Sequence, residues 1–91
     1  MRYRAQVVVS LKDGLLDPQG KAIEGALPAL GWTNVSGVRV GRYVQLDVEA
    51  GDEEEAAARV HEMAERLLSN PVIETFRVLE LRASEASERP T

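Results

Sequence analysis

Ninety-one residues are enough for one compact domain and too few for two, because a chain of this size buries only roughly two-thirds of its unfolded surface on folding. Apolar residues make up 44% and charged residues 29%, the balance of a chain that folds, while 15 acidic against 11 basic side chains give a net charge of −4 that disfavours nucleic acid and anionic lipid as partners. With no cysteine, disulfides, thiolate metal ligands and cysteine nucleophiles are all excluded.

Residues 2–11 alternate, with Tyr3, Ala5, Val7, Val9 and Leu11 on one side and Arg2, Arg4, Gln6, Val8 and Ser10 on the other. Period two predicts a half-buried strand. Asp13-Gly14 then suits a tight turn, and Asp17-Pro18 supplies an N-cap acceptor followed by a proline where its missing N–H costs nothing. A helix is predicted from there, with an apolar stripe of Ile23, Ala26, Leu27 and Leu30. Gly31 fits the left-handed position that ends a helix, and Trp32 is placed to fold back on Leu27. Pro28 removes the hydrogen bond to the carbonyl of Glu24, which predicts a bend or a loosened last turn.

From residue 35 to residue 49 the period returns to two, with Val38 and Val40 before Gly41-Arg42 and Val44, Leu46 and Val48 after it. This pattern predicts a hairpin turning at Gly41-Arg42. Asp52 and Glu55 have the spacing of a capping box, and Glu53 and Glu54 favour the positive end of a helix dipole. The second helix carries a stripe of Ala56, Val60, Met63 and Leu67 with Leu68 beside it, and Asn70-Pro71 stops it, since asparagine tolerates the left-handed conformation and proline cannot continue a helix. A last strand covers roughly residues 73–82. Its phase is ambiguous, because Phe76 and Val78 alternate against Leu79 and Leu81.

The order strand, helix, hairpin, helix, strand predicts an α+β fold: a βαββαβ ferredoxin-like two-layer sandwich, an antiparallel sheet with two helices on one face. Residues 1–82 form the single domain, and residues 83–91, small and polar without a period, are expected to be a flexible C-terminal tail. The open sheet face would carry Arg2, Arg4, Gln6, Val8, Arg39, Tyr43, Gln45 and Asp47, a set suited to water or to a wet protein interface. No apolar run of about 18 residues could span a bilayer, and Met1-Arg2-Tyr3-Arg4 leads into alternation rather than a signal-peptide block, so a cytoplasmic location is expected.

No catalytic constellation is visible. His61 is the only histidine, beside Ala57, Ala64 and Leu68, and without a second ligand or a nucleophile it makes neither a metal site nor a triad. The four carboxylates Asp52, Glu53, Glu54 and Glu55 read as a capped, solvated helix start. Gly37 and Gly41 do not open a helix, no Gly-Lys-Ser/Thr follows, and there is no GxSxG elbow. An aromatic pair for stacking bases is missing too, since only Tyr43 falls on the open sheet. The segment from Lys12 to Gly20 is the most distinctive. Gly20 stands in a first helical turn where alanine would propagate the helix better, which fits either a close partner contact or simple tolerance of glycine there. The residues alone leave open an assembly module, a small-molecule-binding regulatory βαββαβ module, and an RNA-binding module of similar topology.

Three segments in register carry a resemblance: Leu11-Lys12 with Leu15-Leu16-Asp17-Pro18-Gln19-Gly20, Val38-Arg39-Val40-Gly41-Arg42, and Leu67-Leu68-Ser69-Asn70-Pro71-Val72-Ile73-Glu74. From about Tyr3 to Leu81 the chain resembles the PurS family, the small subunit of phosphoribosylformylglycinamidine synthase in purine biosynthesis. The resemblance implies a subunit without catalytic residues of its own, within an ATP-dependent carbon–nitrogen ligase that uses glutamine as amide donor. It implies two partners, a glutaminase subunit and a synthetase subunit, and a role in joining them and assisting ammonia transfer between them. Formylglycinamide ribonucleotide would be converted to formylglycinamidine ribonucleotide by the complex, with ATP and magnesium used by the synthetase and no cofactor bound by this chain. Self-association to a dimer or tetramer is implied as well. On this reading the candidate partner interface is Lys12, Asp17, Pro18, Gln19, Gly20, Arg39, Gly41, Asn70 and Pro71.

Overall fold

The alternation at the start of the chain becomes β1 (Arg2–Leu11), with Tyr3, Ala5, Val7 and Val9 buried and the intervening side chains half-buried. This is the central strand of a sheet in a computed structural model that describes residues 1–84. β2 (Gly41–Glu49) and β3 (Glu74–Ala83) pair antiparallel on either side of it, giving the order β2-β1-β3. With α1 (Pro18–Ala26) and α2 (Glu53–Met63) the chain is an α+β fold with an open antiparallel sheet, in keeping with the predicted class.

The predicted turn at Gly41-Arg42 does not form. Gly41 is the first residue of β2, opposite Ser10, and residues 35–40 lie outside the sheet, which therefore has three strands. The backbone N–H groups of Val38 and Val40 donate to the side chains of Glu24 and Asp17 instead of to a neighbouring strand. These side-chain acceptors satisfy donors that a ladder would otherwise have taken.

The ambiguous phase of the last strand has a structural cause. Gln6 pairs with Glu80 and Val7 with Val78, so Leu79 is an extra residue, and the register shift marks a β-bulge. The bulge returns Leu81 to the same face as Phe76, opposite Ala5, and both pack on the core. β3 ends at Ala83, and Ser84 still donates its N–H to the carbonyl of Arg2 at 2.8 Å; the rest of the expected tail, residues 85–91, lies outside the described residues.

α2 covers the face of β1 that holds the core. Asp52 caps it by accepting from the N–H of Glu55 at 2.8 Å, and the Glu55 carboxylate reaches back to the N–H of Gly51 at 2.7 Å, one residue earlier than in the usual box. Ala56, Val60 and Ala64 are fully buried, and Val60 and Ala64 pack with Ala5, Val7 and Val9. Burying each of the three valines stabilises the fold by roughly 1.5–3 kcal/mol relative to exposure. The predicted stripe fails at Leu67, which is 81% exposed. At Ala64–Leu68 the helix widens into a π turn, and the extra residue rotates Leu68 into the core in place of Leu67.

α1 begins as predicted, with Asp17 at the cap, and its last turn loosens at Pro28 into a short 3-10 turn, Pro28–Leu30. Gly31 takes the left-handed conformation, and the N–H of Trp32 returns to the carbonyl of Leu27 at 3.1 Å. The apolar stripe is not part of the core, however. Only Gly20 of α1 is buried, while Ile23, Leu30 and Trp32 are 46%, 68% and 54% exposed.

Candidate partner-docking site

All three distinctive sequence segments meet at one end of the sheet, where β1 finishes and β2 and β3 begin. The N–H of Lys12 donates to the carbonyl of Ile73 at 2.9 Å, joining the first segment to the third. Asp17 joins the first to the second: one carboxylate oxygen accepts from Gly20 N–H at 2.9 Å, the other from Val40 N–H at 2.8 Å. These two backbone donors, with the Arg39 guanidinium nearby, hold its carboxyl below the usual carboxylate range. Asp17 is itself buried, so its charge is spent on the chain's own backbone.

Arg39 was expected on the open sheet face. It lies instead at the sheet end, where its guanidinium donates to the carbonyls of Leu11, Lys12 and Leu15 at 2.8, 3.2 and 3.3 Å. The Asp13-Gly14 turn forms as read, with Gly14 at φ 87° and Leu15 N–H bonded to the Lys12 carbonyl at 3.2 Å. Arg39 thus closes over this turn from outside.

Gly20 has a within-chain reason. A Cβ there would drive into the carbonyl of Val38 and sit 2.9 Å from the Asp17 carboxylate, so the backbone that comes close is this chain's own. Gly41 is similarly crowded: a Cβ would meet the carbonyl oxygen of Val9 at 2.6 Å. Asn70 keeps a negative φ rather than the left-handed conformation; its side-chain oxygen accepts from Val72 N–H at 3.1 Å and its carbonyl from Ile73 and Glu74. Pro18, Gln19, Lys12 and Pro71 are exposed.

Two residues at this end were not among the predicted site residues. Arg42 grips Glu74 with two hydrogen bonds of 2.9 and 3.0 Å and donates a third, 2.7 Å, to the carbonyl of Leu68. Glu74 also accepts from Asn70 N–H at 2.7 Å; Arg42 and that N–H hold its carboxyl below the usual range, while Glu74 raises the Arg42 pKa. The pair ties β2, β3 and the end of α2 together in a bidentate geometry. Both residues stood inside the quoted segments, but a pair 32 residues apart leaves no periodic signal that would single it out.

A cleft of about 220 Å³ opens between these parts, lined in part by Ser10, Gln19, Gly41, Arg42 and Glu74. Its two carboxylates, Asp17 and Glu74, are each held by two partners. Among the described residues, no group of three or more His, Asp or Glu could hold a metal ion. His61 sits apart on α2, exposed, its ring edge-on to Phe76 at 5.0 Å. No helix of the described residues is long and apolar enough to cross a membrane.

The open face of the sheet holds the predicted alternation apart from Arg39. Arg2 faces Glu49 at 3.4 Å and Arg4 faces Asp47 at 3.1 Å, with Gln6 opposite Gln45 and Val8 opposite Tyr43. It is a polar, internally paired surface.

The sequence profile of the family PurS, phosphoribosylformylglycinamidine (FGAM) synthase, matches residues 4–82, which reach into all three strands and cover both helices. The chain belongs to the PurS family. Phosphoribosylformylglycinamidine synthase subunit PurS of Synechocystis is 39% identical over 88 residues, covering 97% of this chain and 87% of the relative. The Bacillus subtilis subunit PurS is 44% identical over 75 residues, 82% of this chain and 88% of the relative. Thermus thermophilus PurS superposes with a TM-score of 0.82 at 39% identity, covering 93% of this chain and all of that one (100%). A chain in the structure of PurLQS from Thermotoga maritima superposes with a TM-score of 0.77 at 32% identity, over 90% of this chain and 96% of its own length. The end of the sheet built by the three segments is therefore part of a PurS fold.

Proposed function

We propose that this chain is the PurS subunit of a phosphoribosylformylglycinamidine synthase, a non-catalytic part that bridges a glutaminase subunit and a synthetase subunit and assists ammonia transfer between them. The observation that carries this reading is the family match over residues 4–82, at family-typical length and with every element included. The partners would use glutamine, ATP and magnesium to convert formylglycinamide ribonucleotide to formylglycinamidine ribonucleotide, in the cytoplasm. This chain lends surface: its carboxylates at the sheet end are committed to its own backbone and to Arg42, which suits a rigid docking part better than a reacting one.

A docking part answers a physical need. Ammonia released into bulk water is protonated or diffuses away, so the two active sites must be held together with water excluded between them. Lys12, Pro18, Gln19 and Pro71 offer exposed surface beside the cleft, and Asp17, Gly20, Arg39, Gly41 and Asn70 fix the backbone beneath it. The chain also self-associates on this reading, as a dimer or tetramer.

Mixing the purified chain with a glutaminase and a synthetase from the same organism tests the proposal. One larger species on size exclusion is expected, with glutamine-driven synthesis only when this chain is present. Full synthesis by the other two proteins alone would refute it.

A further inference from the structure

Arg77 on β3 differs from every other arginine among the described residues. The others face a carboxylate or, for Arg39, backbone carbonyls, whereas Arg77 has neither an ion pair nor a hydrogen bond. A solvated arginine alone would need no explanation; its surroundings give this one a meaning. Arg77 stands opposite Val8 and Thr75 opposite Ser10, and Phe76 between them packs on the core, so these four side chains share the open face of the sheet. With Phe76 they line a groove of about 380 Å³. On the β2 side the groove stays open, because Gly41, opposite Ser10, has no side chain, and Tyr43, opposite Val8, donates its hydroxyl to Gln45 at 3.1 Å. No carboxylate lines it, unlike the clefts beside α1, which hold Asp17, Glu24 and Glu74. The next carboxylate along this face of β3, Glu80, is paired with Arg82 at 3.5 Å.

We propose that this groove binds the phosphate group of a small phosphate monoester. The guanidinium fork of Arg77 matches two oxygens of a tetrahedral dianion, and the hydroxyls of Ser10 and Thr75 can donate to the others. Directly opposed residues on one face have Cβ atoms about 4.5–5.5 Å apart and diagonal ones about 7–8 Å, so all three groups can reach a single anion seated over Ser10. The volume is more than a bare anion fills and falls within the roughly 300–1,000 Å³ of small-molecule sites, while Val8 supplies an apolar floor for a sugar. An ester is therefore the better occupant than free phosphate. The chain's net charge of −4 repels a dianion at long range, so the attraction is local and exposed to water, which sets a dissociation constant of about 1 mM. The inference goes beyond the docking role and does not rest on it.

Ribose 5-phosphate, inorganic phosphate and ribose, each titrated into the purified full chain at constant ionic strength, test the site by amide NMR shifts. With ribose 5-phosphate the amides of Val8, Ser10, Thr75 and Arg77 are expected to move together and saturate. Inorganic phosphate should move the same amides with at least threefold weaker affinity, and ribose should leave them in place. Arg77 is exposed and unpartnered, so Arg77→Gln should keep the rest of the spectrum and weaken binding at least tenfold. Arg77→Lys, a point charge without the fork, should fall between the two. Thr75→Val, of the same shape without the hydroxyl, should weaken binding severalfold and gives a readout independent of position 77. Shifts that spread over Lys21, Arg59 and Arg66 without saturating would overturn the site, as would unchanged affinity in Arg77→Gln. Inorganic phosphate binding as tightly as the ester would overturn the assignment to a monoester. The docking role is judged by the separate mixing experiment, and either result can stand without the other.

Discussion

The sheet with α2 and the α1 region are held by different forces. In the first, Val7, Val9 and Val60 are wholly buried, and the helix is placed by apolar packing. In the second, α1 has no substantial packing against any strand, and its position is fixed by polar contacts, from Asp17 and Arg39 at its base and from Glu24 further along it. The radius of gyration, 16.9 Å against about 12 Å for a compact domain of this length, is that of a molecule with a projecting part. Burial is non-directional and tolerates small shifts, whereas the polar base depends on a few distances. The comparison teaches that one short chain can combine a core that resists change with an arm whose placement rests on a handful of hydrogen bonds.

Breaking the body should cost most. Val60→Ala removes two buried methyl groups beneath the sheet and is expected to lower stability by about 2–3 kcal/mol in urea unfolding. Breaking the hinge between body and arm comes next: Gly20→Ala forces the Val38 carbonyl aside and should cost about 1–2 kcal/mol in the same measurement.

Acid sharpens the contrast in a smaller way. Asp17, Glu55 and Glu74 all titrate below their ordinary values, Asp17 and Glu55 chiefly through backbone N–H donors and Glu74 chiefly through Arg42. A depressed folded-state pKa gives stability that is fully present above the unfolded value, near 4, and is lost as pH falls through the folded value. Thermal unfolding midpoints should therefore be flat from neutrality down to about pH 5 and fall below about pH 4. Glu74→Gln should flatten that acid limb; an unchanged limb would remove the Arg42 pair from the account. The smallest effect belongs to the arm's surface, where Ile23→Ser or Trp32→Ser should change the stability of the isolated chain by no more than about 0.5 kcal/mol. A larger loss would mean that the arm packs on the body.

What was legible in the sequence divides along the same line. Period two in residues 2–11, the Asp17 and Asp52 caps and the loosening at Pro28 were all readable, because each is decided by residues within one turn of one another. The hairpin does not form although residues 35–40 have strand-like alternation, because the distant acceptors on Glu24 and Asp17 draw them off the sheet. Leu67 was misplaced because a π turn is invisible to a 3.6-residue period, and the bulge at Leu79 left the phase of β3 undecidable. At the site, the Lys12 to Gly20 segment and Arg39 stand out in the sequence, but Gly20 answers to Val38 of its own chain and Arg39 to three carbonyls. The residues that hold the site together are joined across 23 to 32 positions, beyond the reach of local pattern.

Native-state hydrogen exchange tests the division most directly. The account predicts that amides around Val60 and Ala64 in α2 exchange only through global unfolding, while those of α1 exchange through a cheaper local opening that Asp17→Asn accelerates alone. Equal protection in the two helices, or an Asp17→Asn effect of the same size on both, would contradict it.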